Sequence, residues 1–340
     1  DAAAAADPDA AATAQDAEVS GPDAGSERAD SGSVADAGTR ADAGSLAPLA
    51  SAGCVTPGTR YPAGTTSGTL AFGGKVRTFR VHVPPVYQAG SPAAAVLMLH
   101  GGGGSAEQLQ SESARMDPIA DRDGFVTVYP DGTGVLQTWN GGLCCGKAVE
   151  EGVDDVGFLD ELLDHLEGEL CLDQRRVFAM GMSNGAIMSH RLACELSARI
   201  AAVAPVAGTI GVATCQPVRP VPVMQIHGTS DGHVPWDGGL GCGPAGVAFV
   251  SVPDTMEGWR TRNGCEAATS AHFQQGDGTC TAHSGCAAPV VLCSIAGGGH
   301  SWPGGEPKPG VVNCPADGAQ STTFIASEAA WQFFKANPRP

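Results

Sequence analysis

The chain is short of basic residues and of long apolar runs, and each shortage excludes something. Lysine and arginine number 19 against 36 aspartates and glutamates, for a formal net charge of -17. A chain this acidic is a poor partner for nucleic acid or an anionic membrane surface. No stretch approaches the ~18 consecutive apolar residues of a membrane-crossing helix. The start has no basic stretch followed by an apolar core, so it does not read as a signal peptide. No Gly-Lys-Ser/Thr closes the glycine run Gly101–Gly104, which argues against a phosphate loop. The acidic N-terminal stretch lacks the ligand ladder and closing glutamate of an EF-hand, so calcium is not expected there.

The first fifty residues contain no aromatic residue, and ten acids face only Arg28 and Arg40. Asp-Ala-Gly recurs at 23–25, 36–38 and 42–44. Such a segment buries too little apolar surface to offset the entropy of ordering it. Residues 1–50 are therefore expected to be a disordered linker, with 51–340 as one catalytic domain. A linker in this position suggests attachment to something upstream, such as a lipid anchor or the cell surface.

All twelve cysteines follow the acidic segment. An even, high count points to disulfides and an oxidising compartment, hence to a secreted, mature chain whose signal has been removed. Cys280, His283 and Cys286 have a zinc-like spacing, but no second such unit accompanies them, so disulfides are the expectation. A ring between neighbours is strained, so adjacent Cys144 and Cys145 are expected to bond elsewhere.

From Cys54 onward, strand and helix patterns alternate. Thr69–Phe72 and Arg77–Val83 read as a hairpin about Gly73-Gly74. Ala94–Leu99, Phe125–Tyr129, Arg176–Met180, Ala201–Val206, Val221–Ile226 and Val290–Ile295 are short apolar runs of the kind found in buried parallel strands. Helical patterns cover Glu107–Ala120, Asp154–Leu170, Asn184–Leu196, Thr255–Arg262 and Ile325–Lys335. The alternation predicts a mostly parallel α/β sheet with helices on both faces.

Gly181-Met182-Ser183-Asn184-Gly185 has the form G-x-S-x-G. With 48 glycines in the chain the pattern alone decides little. Its context decides more, because Ser183 lies between a predicted strand and a predicted helix. Asp231 follows the VPVMQI strand and His300 the VVLCSI strand, so all three sit where α/β sheets collect their chemistry. The chain order Ser, Asp, His completes a nucleophile–acid–base set. Ser183 would attack, His300 would take and return its proton, and Asp231 would orient the imidazole. Asp237 and Asp254 are the rival acids, His233 and His283 the rival bases, and His100 and His227 read as structural. The Asn184 amide and that of Gly102 or Gly103 are the expected oxyanion donors.

The stretches LHGGGGSA (99–106), WNGG and CCG about Leu143 (139–146), VDDVGFLDELLD (153–164), RVFAMGMSNGAIMSHRLAC (176–194), HGTSDGHVPWDGG (227–239) and GGGHSWPGG (297–305) resemble secreted polyhydroxybutyrate depolymerase-like esterases. That group overlaps the feruloyl and acetylxylan esterases of carbohydrate esterase family one. The resemblance covers most of 95–305. It implies an α/β-hydrolase fold, Ser183, Asp231 and His300 as a catalytic triad, export, and no metal or organic cofactor. Trp139, Trp236 and Trp302 lie in matching stretches and are candidate walls for an aromatic acyl group or a sugar ring. Such esterases generally attack solid polymer with an extra binding domain, for which the sequence shows no room. The expected substrates are therefore feruloyl or acetyl esters of plant polysaccharide, or short hydroxyalkanoate oligomers. A non-catalytic polysaccharide-binding module and a peptidase are the alternatives; the complete triad and the absence of a lid domain weigh against them.

Overall fold

Strands that are apolar on both faces need a cover on each, and this requirement organises the domain. The computed structural model describes residues 46–56, 58–306, 314, 315 and 317–340. The expected linker at 1–50 falls outside the described residues up to Ser45. Its last positions belong to the domain, where Ala50 bridges Asp173 and the Leu49 amide donates to Asp173 Oδ1 at 2.9 Å.

The strands are β1 (Gly64–Phe72), β2 (Lys75–Val83), β3 (Ala93–Leu99), β4 (Val126–Pro130), β5 (Leu172–Met182), β6 (Val203–Val206), β7 (Val223–Gly228), β8 (Gly239–Leu240), β9 (Ala248–Phe249), β10 (Thr269–Gln275), β11 (Gly278–His283) and β12 (Val290–Ile295). Ten form one sheet in the order β1-β2-β4-β3-β5-β6-β7-β12-β11-β10, while β8 and β9 pair as a small ribbon. From β4 to β12 every pairing is parallel. The β1-β2 and β11-β10 wings are antiparallel, so the sheet is mixed at its edges.

Alternation along β3 shows how the core is divided. Ala93, Ala95, Leu97 and Leu99 join one apolar cluster, and Ala94, Val96 and Met98 join the other. The helices are α1 (Ala106–Gln108, running into a π-helical turn at Leu109–Ala114), α2 (Asp117–Asp123), α3 (Gly146–Glu150), α4 (Asp155–Glu169), α5 (Asn184–Glu195), α6 (Val252–Arg262) and α7 (Ala326–Lys335). Phe158, Leu162 and Leu166 of α4, Leu192 of α5 and Trp259 of α6 fill the first cluster. Ile119 of α2 and Trp331 and Phe334 of α7 fill the second, where Phe178 and Phe334 stack at 4.7 Å.

Three expectations change. The single helix over Glu107–Ala120 is broken at Arg115, whose φ of 49° no α-helix accommodates. The β10–β11 hairpin was not predicted, because β10 is polar and mostly exposed and carries no buried-strand pattern. Cys144 and Cys145 pair with each other. The other ten cysteines are consumed as 54–171, 194–215, 242–314, 265–286 and 280–293, which leaves this pair no other partner. Cys280 and Cys286 are likewise in separate disulfides, so neither offers a thiolate to zinc.

Candidate active site

Ser183 sits at the end of β5 with φ 54° and ψ -119°, a conformation that costs a non-glycine residue of order 1–3 kcal/mol. Its amide donates to the Val206 carbonyl at 2.9 Å, and its hydroxyl makes no capping bond to α5. The turn is tight enough that its flanking glycines are obligatory. A Cβ on Gly181 would lie 2.6 Å from the Gly185 carbonyl, and one on Gly185 would overlap the Leu99 and His100 carbonyls. Strand, strained serine and helix thus form a continuous elbow.

Asp231 follows β7 and His300 follows β12, at the same end of the parallel strands as Ser183. Asp231 Oδ2 lies 2.9 Å and Oδ1 3.1 Å from His300 Nδ1. Oδ1 also accepts the His233 and Val234 amides at 2.9 and 2.8 Å. Burial opposes the charge on Asp231, but His300, with help from His227, outweighs it and holds the carboxyl well below the usual range. Burial likewise pushes the His300 pKa down. The Asp231 carboxylate, with a smaller contribution from Asp317, more than reverses this and leaves it raised.

Of the rivals, only His233 stands beside the Asp231–His300 pair. Asp254 lies in the first turn of α6, its amide on Ser251 Oγ, and Asp237 is exposed. His283 ends β11 in the antiparallel wing. His233 stacks on His300 with ring centroids 4.7 Å apart, and its Nδ1 lies 2.8 Å from Asp317 Oδ2. His100 is buried. It takes the Gly132 amide on Nε2 at 2.9 Å and faces the Gly101 carbonyl through Nδ1 at 2.7 Å, a loop-pinning arrangement.

The glycine loop after β3 lies against the elbow. A Cβ built on Gly101 would lie 3.5 Å from Ser183 Cβ, and one on Gly102 would lie 3.7 Å from Asn184 Cβ. Gly103 does not serve as expected, because its amide is committed to the Gln137 carbonyl at 2.9 Å. Among the described residues, the Gly102 and Asn184 amides have no such protein acceptor. The Asn184 side chain takes the Trp139 amide at 2.7 Å and donates to the Trp139 carbonyl at 2.9 Å, fastening the 139–146 loop to the elbow. Asp155 holds the same loop through the Asn140 amide at 2.8 Å and is itself paired with buried Arg77 at 2.8 Å.

The tryptophans divide differently from expectation. Trp139 is 0% exposed and donates to the His100 carbonyl; Trp302 is 3% exposed and donates to Ser327. Neither presents a ring to a substrate, since both close the core beneath the site. Trp236 is half-buried, its ring edge-on to His227 at 6.1 Å.

Asp317 was not anticipated. Its Oδ1 takes the Gly232 amide at 2.7 Å and the His300 amide at 3.3 Å, joining the loops that carry Asp231 and His300. The Cys242–Cys314 disulfide brings its loop there. The only sequence signal was an odd-looking Cys-Pro-Ala-Asp-Gly turn, whose partner no local pattern identifies.

Compared with known proteins, residues 78–240 match the family described as Esterase PHB depolymerase. The putative esterase NocK of Nocardia uniformis subsp. tsuyamanensis is 33% identical over 275 residues, covering 74% of this chain and 78% of that protein. Feruloyl esterase B of Piromyces equi is 34% identical over 210 residues, covering 58% of this chain and only 38% of the fungal protein's length. A probable feruloyl esterase C of Aspergillus niger is 29% identical over 268 residues, covering 76% of this chain and 84% of that one. Among solved structures, an acetyl xylan esterase from Aspergillus awamori superposes with a TM-score of 0.52 at 15% identity, over 69% of this chain and 94% of that one, a likeness of fold.

Proposed function

The chain belongs to the Esterase PHB depolymerase family and is a carboxylic ester hydrolase with an α/β-hydrolase fold, and from that premise we propose a serine mechanism on feruloyl or acetyl esters of plant polysaccharide. The observation that carries the mechanism is the strained Ser183 elbow at the same end of the parallel strands as the Asp231–His300 pair. His300 spends Nδ1 on Asp231, which leaves Nε2 for the serine. Ser183 Oγ attacks the ester carbonyl as its proton passes to His300 Nε2. The Asn184 and Gly102 amides hold the oxyanion, each contributing about 3–4 kcal/mol in the transition state. The alcohol leaves with the proton from His300, and water, activated by the same imidazole, then releases the acid and frees the serine.

Twelve paired cysteines support export of the enzyme, since disulfides of this number persist in oxidising compartments. For the substrate, the names of the feruloyl and acetyl xylan esterase relatives point to acylated polysaccharide. The rim adds an apolar element. Val135 and Leu136 are exposed at the tip of the turn whose Gln137 carbonyl holds Gly103 beside the proposed oxyanion site. They offer an aromatic acyl group apolar contact that the buried Trp139 and Trp302 do not. Methyl ferulate and acetylated xylan are expected to be cleaved with kcat/KM at least about tenfold above a hydroxybutyrate trimer. A trimer that is the best of the three would overturn the substrate assignment and favour short hydroxyalkanoates.

The pH profile follows from the base. His300 works only when neutral, and its pKa lies above the ordinary imidazole value. Activity is therefore lost as pH falls through that raised pKa, so the acid limb of kcat/KM should lie above about 6.5. A limb near 4 to 5 in a pH–rate titration would point to a carboxylate as the base instead.

A further inference from the structure

Asp231 has a neighbour that the hydrolytic steps do not use. His227 Nε2 lies 3.3 Å from Asp231 Oδ2 and 2.9 Å from the Val234 carbonyl. Its Nδ1 lies 3.0 Å from Gln225 Nε2, which also donates to the Gly208 carbonyl at 2.9 Å. Gln225 Oε1 lies 2.9 Å from His190 Nε2, and His190 Nδ1 accepts the Trp259 indole N–H at 3.0 Å. His190, Gln225 and Trp259 are 0% exposed and His227 1%, so no solvent competes for these bonds.

Two groups at this chain dictate where every proton sits. An indole N–H only donates, so His190 Nδ1 is bare and its proton is on Nε2, facing Gln225 Oε1. A carbonyl only accepts, so the Gln225 amide nitrogen faces Gly208 and therefore also His227 Nδ1. His227 then carries its proton on Nε2, the atom turned to Val234 and Asp231. Each donor points the same way, and the last, His227 Nε2–H, is shared between the Val234 carbonyl at 2.9 Å and Asp231 Oδ2 at 3.3 Å. Burial pushes His190 down to about 4, which keeps it neutral across the working range. The Gly208 backbone packs on the elbow as well, since a Cβ there would lie 2.5 Å from the Ser183 carbonyl.

We propose that Trp259, His190, Gln225 and His227 form a one-way hydrogen-bond relay that positions the triad acid, locking His227 in the tautomer that turns an N–H to Asp231. This rests on reading Asp231 and His300 as the acid and base of the hydrolysis. No proton travels along the relay. It shares the charge on Oδ2, keeps the carboxylate from turning off His300 and, because its bonds polarise one another, strengthens the last of them. The titratable and charged groups facing the pair are His227, His233 and Asp317; at the far end Arg262 lies 5.4 Å from the Trp259 ring.

The test is the pH dependence of kcat and kcat/KM on a p-nitrophenyl ester for wild type, His227→Phe, His227→Gln, Trp259→Phe and Ser183→Ala. A carboxylate that has lost a donor attracts the His300 imidazolium more strongly, so His300 releases its proton at higher pH. His227→Phe should lower kcat about tenfold with KM nearly unchanged, and should move the acid limb up by about half a pH unit. His227→Gln, which can accept from Gln225 and donate onward, should restore most of both. Trp259→Phe keeps the ring and removes only the N–H; it should shift the limb the same way by less, and it decides the matter alone if His227→Phe does not fold. Folded variants with the wild-type limb and kcat would overturn the relay and reduce it to packing. If Ser183→Ala is inactive while the limb stays fixed, the relay alone fails; if Ser183→Ala remains active, the triad reading fails and takes the relay with it.

Discussion

Ser183→Ala should lower kcat/KM on a cleaved ester by roughly three or more orders of magnitude and leave the melting temperature unchanged. The two halves of that expectation come from different features of the elbow. Alanine keeps the Cβ, so it bears the same strain at φ 54° that serine does. The Ser183 amide on the Val206 carbonyl is backbone and survives the change. The hydroxyl caps nothing in α5, so its loss removes no bond that holds the fold. What disappears is the nucleophile. Residual rate over water would come from the oxyanion amides and substrate binding alone. Kinetics on matched wild-type and variant protein, with thermal unfolding of both, give the answer. An alanine variant that still hydrolyses within tenfold of wild type would remove Ser183 from the mechanism.

Asp231→Asn should cost about four orders of magnitude in kcat although it changes one atom. The site dictates how the new amide lies. The His233 and Val234 amides both donate to Oδ1, so the oxygen of asparagine stays on that side. Its NH2 group then takes the Oδ2 position and faces His300 Nδ1, 2.9 Å away in the parent. A donor there forces the imidazole proton onto Nε2, the atom meant to receive the Ser183 proton. The base is thereby in the wrong tautomer, not merely weakened. A loss of less than about tenfold would instead assign the orienting role to another acid, with Asp317 next at hand through the His300 amide and His233.

Much of this was legible in the residues. The elbow could be read because its requirements are local: a strand, two glycines about a serine, and the start of a helix. Gly185 is needed because the Leu99 and His100 carbonyls occupy the space of a side chain, and a close turn imposes that wherever it occurs. The parallel strands were legible because residues buried on both faces lack polar alternation, as along β3. The β10 strand was not, since its exposed Thr, Ser, His and Gln positions resemble any loop. Trp139 and Trp302 show the limit from the other side. A motif places a tryptophan near the chemistry, but its ring's direction depends on what packs behind it.

By itself, then, the sequence determined the α/β alternation, the elbow at Ser183, and an aspartate and a histidine at later strand ends, since periodicity and turn chemistry act over a few neighbouring residues. The tertiary structure alone brought Asp231 to 2.9 Å from His300, 69 residues away. It alone decided that Gly103 is spoken for by Gln137, that Cys144 pairs with Cys145, and that Asp317 joins the loops after β7 and β12. It also aligned Trp259, His190, Gln225 and His227 into one directed chain. These are contacts between distant parts of the chain, fixed by the order of strands in the sheet and by which face each loop closes over, and no local pattern of residues encodes that order.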